Sequence, residues 1–141
     1  MSSLVIDASV AAKWLVTEAH SDEATNLRKS AFALIAPEHF VVELASAMLS
    51  KVRRRQLSAA LAMDAVRTIE FLPVGLRPAA PLLTRAGEIA IRYDRSVYDS
   101  LYITLALAEE CQFVTADRRL YNALAPVFSG TMLWVEDIPV F

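Results

Sequence analysis

The sequence predicts a three-layer α/β/α sandwich with a small, mostly parallel sheet. Three observations lead there. Short apolar runs alternate with longer segments of helix formers, the pattern of parallel strands joined by right-handed crossover helices. No repeat, low-complexity tract or linker interrupts the 141 residues, and only 3 of them are Gly, so one domain over residues 1–141 is expected. The chain is 55% hydrophobic, enough for a sizeable core.

The elements follow in order. Leu4-Val5-Ile6 is a short apolar run ending at Asp7 and reads as a buried strand. Ala8 to Thr17 carries helix formers and an apolar stripe, and Ser21 to Ser30 is a polar helix with Ser21 as its N-cap. Phe32 to Ala36 is a second strand. Pro37 then suits the first turn of a helix reaching about Arg54, with Val41, Leu44, Ala45, Met48 and Val52 on one stripe. Ser58 caps a helix to about Glu70. Phe71 to Val74 is a strand, placed at an edge by Pro73. Pro81 to Ile91 and Ser96 to Glu110 are helical. Gln112 to Thr115 is a strand, Arg118 to Ala125 a short helix, and Met132 to Val135 the last strand.

Composition narrows the function. With 14 basic and 16 acidic residues the net charge is -2, which excludes a protein coated in positive charge. Local basic strips remain at Lys51, Arg53, Arg54 and Arg55, and at Arg118-Arg119; the first also reads as a helix end favoured by its dipole. Cys111 is the single cysteine, so no internal disulfide forms; it reads as a core thiol of a reducing compartment. No apolar run reaches membrane-span length, and Asp7 comes too early for a secretory signal, so a cytoplasmic protein is expected. Neither G-x-G-x-x-G nor G-x-x-x-x-G-K-[ST] occurs. His20 and His39 are too few for a zinc site and read as surface histidines. Trp14, Tyr98, Tyr102, Tyr121 and Trp134 read as core or interface.

The acids are the informative residues. In a parallel α/β sheet, ligands bind outside the carboxyl ends of the strands. Asp7 directly follows the first strand, and Asp117 follows Thr115 by two positions. Asp99 stands in the first turn of its helix, and Glu43 is expected about two turns into the helix that begins near Pro37. Four scattered carboxylates thus converge on one edge. Each also has a purely structural reading: Asp7 and Asp117 as N-caps, Ser96 with Asp99 as a capping box, Glu43 as a solvated residue. Together they repel one another unless protons or a cation intervene. Oxygen ligands without Cys or His select a hard cation, Mg²⁺ or Mn²⁺, which recruits phosphates and activates water. The basic residues at the rim would then hold a phosphate backbone.

The same residues carry a family likeness. Val5-Ile6-Asp7-Ala8-Ser9 with Lys13-Trp14, Pro37 and Glu43 in E-L-A-S-A-M-L, Tyr98-Asp99-Ser100-Leu101-Tyr102, and Thr115-Ala116-Asp117-Arg118-Arg119-Leu120 resemble a PIN domain, of the VapC-type toxins of toxin–antitoxin pairs. The likeness spans essentially the whole chain. It implies a metal-dependent endoribonuclease acting on structured RNA, usually tRNA or rRNA. It further implies Asp7, Glu43, Asp99 and Asp117 as the acidic set, with Asp7 and Asp99 on the metal directly and the other two direct or through water. Ser9 and Thr115 match supporting hydroxyl positions. A homodimer and a VapB-type antitoxin, whose tail covers the acidic groove, are implied partners. One departure is visible: many relatives carry Asn where this chain has Ser46. Two other readings stand beside this one. A haloacid-dehalogenase-like phosphatase also uses Mg²⁺ at this edge, but needs a second Asp where Ser9 stands. A non-catalytic, receiver-like domain would use the acids only as caps.

Overall fold

In the computed structural model, which describes residues 2–139, five strands form one sheet in the order β3-β2-β1-β4-β5, every pairing parallel. β1 (Ser3–Ile6) is central, between β2 (Ala33–Pro37) and β4 (Gln112–Thr115), while β3 (Gly75–Arg77) and β5 (Met132–Trp134) are the edges. Val5 sits opposite Ile35 on one side and Phe113 on the other. These strands are apolar on both faces because both faces are covered, as parallel sheets require.

Among the described residues, seven α-helices surround the sheet. α1 (Ala8–Leu15) packs on α2 (Ser21–Arg28) and on α3 (Phe40–Arg53), which packs on α4 (Ala59–Thr68). α6 (Val97–Ala108), backed by α5 (Leu83–Tyr93), lies across β1, β2 and β4. The chain steps from β1 to β2 to β3 in one direction and returns from β3 to β4 in the other, so right-handed crossovers place these two helical groups on opposite faces. α7 (Arg118–Leu124) joins β4 to β5.

α6 is apolar all round because it is buried all round: every residue from Ser100 to Ala106 is in the core. Its Ser100 and Thr104 hydroxyls are satisfied by carbonyls one turn back. Ser100 donates to the Ser96 carbonyl at 2.8 Å and Thr104 to the Ser100 carbonyl at 2.7 Å. A helix clamped this way is a rigid mount for its first turn. Among the described residues, no helix is long and apolar enough to cross a membrane.

Three local expectations are corrected. Pro37 ends β2, buried against β3, and the helix starts at Phe40. Its ring suits a strand end, and the neighbouring Glu38 N–H takes over the ladder by donating to the Arg77 carbonyl at 2.9 Å. The edge strand lies at Gly75–Arg77 rather than at Phe71 to Val74. Residues Ile69–Phe71 extend α4 as a 3₁₀ turn, and Pro73, with no N–H for the ladder, falls in the connection. Ser21 does not cap α2: His20 is the cap residue, in the left-handed region at φ 64°, and the Ser21 hydroxyl accepts the Glu18 N–H at 2.8 Å. Ser58 and Ser96 cap as expected, each hydroxyl accepting an N–H three residues on.

Candidate active site

Asp7 stands between the end of the central strand and the start of α1, and only 5% of it is exposed. Both carboxylate oxygens are engaged. Oδ1 accepts a short bond from the Ser9 hydroxyl and one from the Val10 N–H at 3.2 Å; Oδ2 accepts the Thr115 hydroxyl at 2.6 Å. Each hydroxyl is oriented by a second bond. Ser9 accepts the Ala116 N–H at 3.1 Å, and Thr115 accepts the Asp117 N–H at 3.0 Å. Two hydroxyl relays thus tie the end of β1 to the end of β4 and point their protons at Asp7. Even so, burial dominates. It pushes the Asp7 carboxyl up to about 6 against the Ser9, Thr115 and Val10 donors, and the charge of Asp117 adds to the rise.

Asp117 is exposed and caps α7, accepting the Arg119 and Leu120 N–H groups at 3.1 and 3.2 Å. Asp99 is half-buried in the first turn of α6. Its N–H donates to the Ser96 hydroxyl at 3.0 Å, the backbone half of a capping box. Among the described residues no bond returns from the Ser96 N–H, so the box is closed on its Ser96 side alone. Burial and the charges of Glu43 and Asp117 hold it above the usual carboxylate range, with Arg95 and Ser96 opposing.

Glu43 lies in the first turn of α3, closer to the edge than the sequence suggested, because the helix starts at Phe40. Burial works to raise its pKa. Bonds from His39 and Tyr102, with the field of His39, outweigh that and hold it low. The Tyr102 hydroxyl donates to Oε1 at 2.6 Å, and His39 Nε2 lies 3.3 Å from the same oxygen and 3.1 Å from the Tyr98 carbonyl. Facing two acceptors, Nε2 is assigned the ring proton. Burial, and then the charge of Glu43, drives the Tyr102 hydroxyl far above its ordinary range, so it stays a donor.

His39 and Tyr102 are the residues the sequence reading missed. His39 is not a surface residue: 13% of its side chain is exposed, and its ring lies 4.8 Å from that of Tyr102. Its i, i+4 relation to Glu43 was the available signal. Tyr102 stacks on Phe113 at 5.4 Å, as a core residue would, while its hydroxyl serves the site. Tyr102→Phe keeps that stack and removes the donor. Urea unfolding should show a loss of about 1–2 kcal/mol; unchanged stability would mean that the bond to Glu43 carries no weight.

The four acids are therefore coupled in a chain: Asp7 to Asp117, Asp117 to Asp99, Asp99 to Glu43. They are not drawn tight. Among the described residues, the group that brings three ligand atoms within 4.8 Å of one another is His20, Glu23 and Glu136, which includes none of these four acids. Like charges, unscreened, hold the acids apart. The donor set nonetheless fits a hard cation: it is all oxygen, and two of its members have pKa values raised by burial and mutual repulsion, which a positive ion would relieve.

The basic residues divide. Lys51 pairs with Glu18 at 2.8 Å, and the Arg54 guanidinium bonds the Ser50 hydroxyl at 2.8 and 3.2 Å. Both line a cavity shared with Ser9 and Asp117. Arg53 and Arg55 are exposed at the end of α3 and do not line it. Arg118 lies over the Trp134 ring at 3.7 Å, and Arg119 is exposed.

Residues 4–124 match the family described as the PIN domain. Ribonuclease VapC9 of Mycobacterium tuberculosis is 34% identical over 117 residues, which cover 83% of this chain and 87% of the relative. Among solved structures, PAE2754 from Pyrobaculum aerophilum superposes with a TM-score of 0.70 at 21% identity, covering 96% of this chain and 85% of that one. The sarcin-ricin loop cleaving toxin VapC20 of Mycobacterium tuberculosis gives 0.65 at 21% identity, covering 86% and 95%. A toxin–antitoxin complex from Klebsiella pneumoniae gives 0.61 at 11% identity, covering 96% and 100%.

Proposed function

The chain belongs to the PIN domain family, and from that premise we propose that it is a metal-dependent endoribonuclease, the toxin of a toxin–antitoxin pair. The observation that carries this reading is the convergence of Asp7, Glu43, Asp99 and Asp117, from four separate elements, on the carboxyl edge of the sheet. Two of these carboxyls are destabilised as anions in the bare protein. Such an arrangement costs stability and is repaid only when a cation joins it.

In this reading Asp7 and Asp99 hold Mg²⁺ or Mn²⁺ directly, and Glu43 and Asp117 complete the shell, directly or through water. The wide spacing of the acids suits an ion that keeps several of its waters. A bound cation supplies Lewis acidity toward a phosphoryl oxygen at neutral pH. The protein's residues do the rest. The Ser9 and Thr115 hydroxyls fix the Asp7 carboxylate, and Tyr102 and His39 fix Glu43. α6 keeps Asp99 at a constant height above the sheet. Lys51, Arg53, Arg54, Arg55, Arg118 and Arg119 supply positive charge for the RNA backbone. The substrate is structured RNA of the tRNA or rRNA class. A VapB-type antitoxin covers the acidic groove, and the chain acts as a homodimer. A phosphatase of haloacid-dehalogenase type has no footing: Ser9 stands where its second Asp belongs and is spent on Asp7.

Purified protein should cleave structured RNA in Mg²⁺ or Mn²⁺, stop in excess EDTA, and resume when the cation is restored. Cleavage at full rate in EDTA would remove the metal from the proposal.

A further inference from the structure

Beside the acidic edge, between α1 and α3, lies a cavity of about 400 Å³. Ser9 and Asp117 form its border with the acids, and Lys13, Glu18, Lys51 and Arg54 form its far side. Ala8, Ala12, Ala47 and Ala116 line the rest, so no long side chain fills the space.

The charges in it are organised around one carboxylate. Glu18 Oε1 accepts from Lys13 at 3.3 Å, and Oε2 accepts from Lys51 at 2.8 Å. One acid thus orients two ammonium groups. Lys13 has only 9% of its side chain exposed and Lys51 18%, so both are substantially desolvated. An ammonium carries three donors, and each of these lysines makes one side-chain bond, to Glu18. The remaining donors have no protein acceptor among the described residues. Counting Arg54 on the rim, three cations face Glu18 and the border acid Asp117. A buried cation with unused donors beside an open cavity is completed by an anion.

We propose that this cavity is a phosphate subsite: Lys13, Lys51 and Arg54 hold one backbone phosphate of the RNA next to the bond placed at the acids, and Glu18 is the positioning residue that sets the two ammonium groups. The inference rests on the nuclease reading above and deepens it. The subsite gives Lys51 and Arg54 a common target, adds Lys13, which lies outside the basic strip, and separates these three from Arg53 and Arg55. The phosphate lies on the α1–α3 side of the acids, so the RNA backbone runs across the edge toward α3.

The test measures RNA binding without cleavage. A fluorescein-labelled RNA hairpin is titrated with the Asp99→Asn protein in Mg²⁺ over a series of salt concentrations. Lys13→Met, Lys51→Met and Arg54→Gln are each added to that background, with Lys29→Gln, in a different cavity, as the charge control. Each change in the subsite should weaken binding about 5- to 10-fold and lower the salt slope by about 1, and Lys29→Gln should do neither. Thermal melting checks each fold; if Lys13→Met does not fold, the exposed Arg54 carries the same comparison. Unchanged slopes at Lys51 and Arg54, while the unsubstituted chain cleaves the hairpin, would overturn the subsite and leave the nuclease. Neither binding nor cleavage of RNA would overturn both.

Discussion

Asp99→Asn is expected to lower RNA cleavage by at least about 100-fold, since loss of a residue that merely orients a metal ligand already costs 10–100-fold. The fold should tolerate it. The Asp99 N–H keeps its bond to Ser96, because that bond belongs to the backbone. The carboxylate itself is raised by burial and by the charges of Glu43 and Asp117, so the neutral amide removes a repulsion. The melting temperature of the bare variant at neutral pH should equal or exceed that of the unsubstituted chain. A purely capping Asp99 predicts the reverse: lower stability and normal cleavage. Measuring both properties on one preparation separates the two roles.

A divalent cation should stabilise the protein about twice as strongly at pH 7.5 as at pH 5. The Asp7 carboxyl is raised from 3.8 to about 6, its anion disfavoured by burial. In the bare protein, the stability linked to this group is therefore fully present below about pH 4. It is lost as the pH rises through about 6, by about 3 kcal/mol in all. Asp99 acts in the same direction. A cation needs the ionised forms, so its benefit appears where the bare protein has lost stability. Mn²⁺ at about 100 times its Kd adds about 2.7 kcal/mol at pH 7.5, a rise of roughly 9 °C in Tm for a chain of this size. At pH 5 protons compete for Asp7 and the rise shrinks. Equal shifts at both pH values, or none, would place the cation elsewhere or nowhere on this edge.

The parts of the fold and site that the sequence revealed are those carried by local chemistry. β1, β4 and the Ser58 and Ser96 caps are continuous in the chain, and their apolar runs or hydroxyls mark them directly. The edge position of Asp7 and Asp117 follows from parallel topology alone, because each sits where a strand hands over to a helix. What escaped notice depends on packing across elements. Tyr102 reaches Glu43 from 59 residues away, a contact set by how α6 crosses the sheet from α3. Glu18 joins Lys51 across 33 residues because α1 packs on α3. Pro37 and Pro73 were misplaced because proline's fixed φ suits a strand end, a turn and a helix start alike.

In the proposed nuclease, Asp99 is part of a catalytic acidic centre for RNA. Sequencing RNA 5′ ends from cells expressing the unsubstituted chain and cells expressing Asp99→Asn at equal level tests it most directly. New ends should appear at a small set of sites in the first sample and be absent from the second. The same ends at the same abundance in both samples would contradict it.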